Sequence, residues 1–179
     1  MRISSSTSLP AIPVWVLLVT VGIGSWGATR WYFAESSPET LTAGTALSQI
    51  AARDSAGLDV KIDLTGTSTV LYVMSTTCKW CEVNEEMIAL AAPHMAKKYR
   101  MVGLLIDAGS PRFDRRSRYP FPVYGDLARD VVERYRLNVT PQTIVVESGR
   151  VKRVWLGAYS EKRAKAIAQY FAFTFSAQG

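Results

Sequence analysis

The sequence predicts an α/β protein: one mixed central sheet flanked by helices on both faces, preceded by a single membrane-spanning helix. Three observations predict it. Short runs rich in β-forming apolar residues alternate with amphipathic helical patterns from residue 69 to the C-terminus. A stretch near the N-terminus carries no charge over a membrane-spanning length. Both cysteines of the chain, Cys78 and Cys81, stand with two residues between them at the junction of a strand and a helix.

The charge-free stretch is "AIPVWVLLVTVGIGSWGA" (11–28), led by a polar tail, 1–10, with Arg2 as its one cation. Trp31 and Tyr32 follow, where an aromatic belt sits at a membrane interface. Residues 11–33 therefore read as a transmembrane anchor. The competing reading is a signal peptide cut after Gly27, for which Ser25 and Gly27 are small enough. Trp26 and the downstream aromatics favour the anchor. A water-soluble core helix is disfavoured by Gly22, Gly24 and Gly27.

Residues 34–57 read as a linker holding a short helix. "LTAGTALSQIAAR" (41–53) places Ala43, Ala46, Leu47 and Ile50 at helical spacing, weakened by Gly44. The compact domain is expected over 58–179. "TVLYVMS" (69–75) is a buried strand. "EVNEEMIALAAPHMAKKY" (82–99) has acids first and lysines last, as the helix dipole favours. Its apolar face is expected at Val83, Met87, Leu90 and Ala91, and Pro93 should kink or end it. "RMVGLLID" (100–107) is a second strand and "ARDVVERYRL" (128–137) a helix. "QTIVVES" (142–148) and "VKRVWLG" (151–157) form a hairpin through a tight turn. "SEKRAKAIAQYFAFTF" (160–175) is a final helix with Ser160 as N-cap.

The net charge of +6 and pI of about 9.5 raise nucleic acid or an anionic membrane as partners. Only "RFDRRSRYP" (112–120) has the basic and aromatic mixture that nucleic-acid binding uses, and a single basic loop reads better as solvated surface. Nucleic acid is not expected as a partner.

The cysteine pair admits three chemistries. Structural zinc takes four ligands, and beyond these two cysteines the chain offers only His94, which sits after Pro93 near a helix end. No metal is expected. A staple between residues three apart constrains the unfolded chain very little. A redox pair explains the spacing: the strand delivers Cys78 to the surface, and the N–H groups of the following helix stabilise its thiolate. Cys81, one turn on, is then placed to attack a mixed disulfide at Cys78. Lys79 adds a nearby cation, and Trp80 reads as a partly exposed contact surface beside the sulfur.

With the strand, C-x-x-C and helix in place, "FPVYGDLARDVVERYRLNVTPQTIVVESGRVKRVWLG" (121–157) resembles the segment of thioredoxin-fold redoxins that carries their cis-proline. The similarity is to the membrane-anchored TlpA/ResA-like thiol–disulfide oxidoreductases and covers roughly 58–175. It implies a thioredoxin fold and a Cys78–Cys81 redox disulfide, with Cys78 the nucleophile and Cys81 the resolving thiol. It also implies a cis Thr140–Pro141 peptide, where Thr140 and Pro141 bind an extended substrate through the backbone. Trp80 and the basic loop 112–118 would supply specificity. The implied partners are protein thiol or disulfide clients and a membrane-embedded electron donor. The chain would be a monomer in a bacterial inner membrane, single-pass, facing the periplasm, with no cofactor.

Alternatives are a disulfide oxidase or isomerase, and a non-enzymatic binding or metallochaperone module. Copper chaperones of related fold use a longer cysteine spacing and a well-placed histidine. Peroxiredoxins carry a proline ahead of the threonine–cysteine pair that this chain lacks. Three features depart from the resemblance. Tyr72 stands where thioredoxins keep a buried acid, and is expected as a core aromatic. Asn84 stands where some ResA-like proteins keep a glutamate. "MSTTC" replaces the usual aromatic approach to the motif.

Overall fold

The computed structural model describes residues 40–107 and 119–175. Seven strands and four helices follow in the order β1 (Gln49–Arg53), β2 (Asp59–Asp63), β3 (Thr69–Met74), α1 (Lys79–Val83), α2 (Glu85–Met95), β4 (Arg100–Leu105), β5 (Val123–Tyr124), α3 (Arg129–Arg134), β6 (Gln142–Glu147), β7 (Arg150–Leu156) and α4 (Glu161–Phe171). The expected span over 11–33 and the basic loop 112–118 lie outside the described residues. Among the described residues, no helix is long and apolar enough to cross a membrane.

Five strands form one mixed sheet in the order β5-β4-β3-β6-β7. β3 is its centre: it runs parallel to β4 and antiparallel to β6, and all six of its residues are buried. A strand covered on both faces needs apolar residues throughout, which is why "TVLYVM" shows no alternation. Its even positions, Val70, Tyr72 and Met74, pack against Ile88, Ala91 and Met95 of α2 and Ile167 and Phe171 of α4. Leu71 and Val73 face the other side, among Ile50, Ile62, Leu127 and Leu137.

The helix expected over 41–53 does not form. Residues 49–53 are a strand, paired with β2 as an antiparallel hairpin. Gly44 has φ +93, and Gly44, Thr45 and Leu47 make backbone bonds across to Gly149 and Val151 at the β6–β7 turn. These tertiary bonds satisfy the backbone that a helix would have satisfied locally. Ile50 and Ala52 are the buried residues of β1, two apart as a strand requires. Residues 41–57, expected within a linker, thus add Leu41, Leu47, Ile50 and Ala52 to the core.

The helix expected over 82–99 starts earlier, at Lys79, and is interrupted at Asn84. The buried positions keep helical spacing through Asn84, as Cys81, Asn84, Ile88, Ala91, Ala92 and Met95, so the buried face of α2 lies beside the one expected and shares only Ala91 with it. Val83 and Leu90 are exposed instead. Pro93 lies inside α2, which ends at Met95. The β6–β7 turn puts Ser148 and Gly149 at φ 49 and 69, the left-handed pair that a two-residue hairpin requires. Ser160 occupies the N-cap position of α4, but its side chain makes no capping bond.

Candidate active site

The site is assembled at the C-terminal end of β3. Because β3 and β4 are parallel and in register through Met74–Leu105, the residues that follow each strand emerge side by side. Asp107 therefore lies against Ser75 and Thr76. Both of its carboxylate oxygens accept from the Thr76 backbone N–H at 2.9 Å, and one also accepts from Thr76 Oγ1 at 2.6 Å and Ser75 Oγ at 2.9 Å. Partial burial pushes the Asp107 carboxyl up, but the Thr76 and Ser75 donors outweigh it and hold it below the ordinary carboxylate range.

That anchored loop delivers Cys78 as the N-cap of α1, with extended backbone at φ −82, ψ 105. Its Sγ accepts from the Cys81 N–H at 3.0 Å, as an N-cap side chain does. Cys78 and Cys81 are joined as a disulfide with Cα atoms 5.3 Å apart. Cys78 is half-buried, whereas Cys81 is 4% exposed. Lys79 and Trp80 point outward between them, Trp80 at 64% exposure. Trp80, Val83 and Met87 form one wall of an open groove of about 480 Å³, facing Ala158, Tyr159 and Arg163.

Beneath α1 lies a buried polar chain. Asn84 Nδ2 donates to Tyr72 Oη at 3.1 Å, and Asn84 Oδ1 accepts from the Tyr159 backbone N–H at 2.7 Å. The Tyr159 hydroxyl in turn bonds Thr143 Oγ1 at 2.8 Å. Burial pushes the Tyr72 phenol far above its ordinary value, and the Asn84 bond offsets this only in part. Burial does the same to Tyr159. Tyr72 is thus the core aromatic expected, and it also carries a hydrogen bond.

The Thr140–Pro141 peptide is cis. The antiparallel register Val73–Gln142 places Pro141 beside the end of β3 from which the chain runs to Cys78. Pro141 is buried, Thr140 is half-buried, and the Pro141 carbonyl accepts from the Gly157 N–H at 2.7 Å. The structure therefore brings Cys78, Cys81, Thr140 and Pro141 to one end of the sheet. His94 takes no part in this arrangement: it sits in the last turn of α2 and stacks on Phe173, ring centroids 4.6 Å apart. Among the described residues, no group of three or more His, Cys, Asp or Glu side chains could hold a metal ion.

Sequence reasoning assigned nothing to Asp107, Thr143 or Tyr159. Asp107 stood out only as the acid ending an apolar run, and its partners lie 31 and 32 residues away.

This fold recurs in solved structures. The thioredoxin domain of a thiol-disulfide oxidoreductase from Bacteroides vulgatus matches 74% of this chain and 99% of its own, with a TM-score of 0.59 at 16% identity. A secreted disulfide oxidoreductase of Mycobacterium tuberculosis matches 68% of this chain and 96% of its own, with a TM-score of 0.53 at 19% identity. A thio-disulfide isomerase from Thermus thermophilus matches 75% and 100%, at 0.53 and 16%.

The fold is the thioredoxin fold.

No protein-family model and no curated protein sequence matches the chain. Within this thioredoxin fold, the β1–β2 hairpin covers the sheet face opposite α2 and α4. The site residues all lie on the side of the sheet where β3 ends.

Proposed function

We propose that the chain is a thiol–disulfide oxidoreductase that exchanges disulfides with extracytoplasmic protein clients. The observation that carries this reading is the asymmetry of the Cys78–Cys81 pair: a half-buried sulfur capping α1 and a buried one behind it. In the reductive direction the Cys78 thiolate attacks a client disulfide, forming a Cys78–client bond and releasing one client sulfur as a thiolate. Cys81 then gives up its proton and attacks Cys78 Sγ. The Cys78–Cys81 bond forms, the second client sulfur leaves and takes up a proton, and the client has gained two electrons from the dithiol. Thr140 and Pro141 form the client clamp, pairing with an extended segment through the backbone. Their position at the end of β3 supports this role.

Cys81→Ser should trap mixed disulfides with a synthetic peptide disulfide, and Cys78→Ser should trap none. Trapping by neither variant would refute the reading. The direction follows from the reduction potential of the pair: near roughly −270 mV the chain is a reductase, near roughly −120 mV an oxidase.

The finer placement is single-pass anchoring by residues 11–33 in a bacterial inner membrane, with the domain on the periplasmic side and an electron donor within the membrane. It rests on the charge-free stretch and the Trp31–Tyr32 pair. Mass spectrometry of the mature protein should find Met1 or Arg2 attached. A mature N-terminus at Ala28 would make it a secreted soluble protein.

A further inference from the structure

We propose that Asn84 is a positioning residue for the second chemical step, holding the turn that carries Cys81 against β3 and against the loop after β7. The proposal rests on the oxidoreductase reading.

Asn84 separates α1 from α2 and is 1% exposed. A buried amide there has to find partners at both ends, and it does so on two distant elements, Tyr72 of β3 and the Tyr159 N–H. Cys81 lies one turn earlier, in a segment stiffened by the Asn84 N–H to Trp80 carbonyl bond at 3.1 Å. Cys81, Tyr72 and Tyr159 belong to one buried cluster. Tyr159 extends the chain of bonds to Thr143, two residues beyond Pro141.

Cys78 is held differently. Its approach loop is fixed by Asp107 through Ser75 and Thr76. The two sulfurs therefore have separate anchors, and they serve separate steps. In the first, the client comes to the half-buried Cys78, and Asn84 is not involved. In the second, the buried Cys81 Sγ must reach Cys78 Sγ in line with the departing client sulfur, and only the placement of its own turn supplies that approach. Loosening Asn84 should slow the second step and spare the first.

The test is rapid-mixing kinetics of the reduced full chain with a synthetic peptide disulfide, resolving formation of the mixed disulfide from its release. In Asn84→Ala, release should be slower by roughly tenfold or more while formation stays within about twofold of the unsubstituted chain. Asp107→Asn should show the reverse pattern. Release at the unsubstituted rate, or equal slowing of both steps, would overturn the assignment. If Asn84→Ala does not fold, Tyr72→Phe and Thr143→Val each remove one bond of the same network, and slowed release in neither would equally overturn it. The two readings fail separately. An unsubstituted chain that forms no mixed disulfide with the peptide refutes the oxidoreductase reading and this assignment with it. Normal turnover with unaltered release in Asn84→Ala refutes the assignment alone.

Discussion

The backbone N–H of Tyr159 donates to the side-chain oxygen of Asn84 at 2.7 Å, across 75 residues of sequence and out of contact with water. This bond ties the loop after β7 to the junction of α1 and α2. Its other half, the Asn84–Tyr72 bond, reaches the central strand.

Removing the Asn84 amide leaves the Tyr159 N–H and the Tyr72 oxygen without their partner in a buried site. Each such group costs about 1–3 kcal/mol. Asn84→Ala should therefore lose at least about 2 kcal/mol in urea unfolding, and Tyr72→Phe only about 1 kcal/mol, since it strands a single Nδ2 donor. A Tyr72→Phe loss equal to or larger than that of Asn84→Ala would show that the bond to Tyr159 contributes nothing.

Asp107 makes the approach to Cys78 sensitive to acid. Its folded-state carboxyl is held below the ordinary value, so its contribution is complete above the unfolded-state pKa of about 3.9 and is lost as pH falls through the folded value. Unfolding midpoints compared at neutral pH and near pH 3 should fall less in Asp107→Asn than in the unsubstituted chain. Equal falls would assign the acid sensitivity to other carboxylates.

The burial difference between the two sulfurs fixes the order of their modification. With the disulfide reduced, a small alkylating reagent should label the half-buried Cys78 before the buried Cys81. Peptide mapping after brief exposure reads the order directly, and faster labelling of Cys81 would reverse the roles given to the pair.

Trp80 exposes a large apolar ring beside the disulfide without packing into the core. Trp80→Ala should change stability by no more than about 0.5 kcal/mol. It should weaken capture of an extended peptide disulfide by roughly tenfold, as loss of an aromatic contact does. Unchanged capture would remove Trp80 from the client surface.

The core strands, the cysteine pair and the proline were legible in the sequence because each is a local signal. "TVLYVM" and "QTIVVE" are runs of strand length rich in β-branched residues, C-x-x-C is a spacing, and Thr140–Pro141 precedes a hairpin that its own turn residues announce. The first segment misled because Ala43, Ala46, Leu47 and Ile50 fit a helix as well as a bent extended chain. The backbone of Gly44, Thr45 and Leu47 found its partners more than 100 residues away, at the β6–β7 turn. The helix face of 82–99 differs from the expected one because Val83, Met87 and Leu90 are apolar at helical spacing just as Ile88 and Met95 are, and only packing against β3 and α4 decides that the second set is buried. Asp107, Thr143 and Tyr159 carry no motif. By itself the sequence determined where the two sulfurs stand and the four sheet strands β3, β4, β6 and β7, since composition and spacing decide both. Only the tertiary structure decided what anchors each sulfur, because a carboxylate or an amide acquires a role through the donors that register and packing bring within about 3 Å of it.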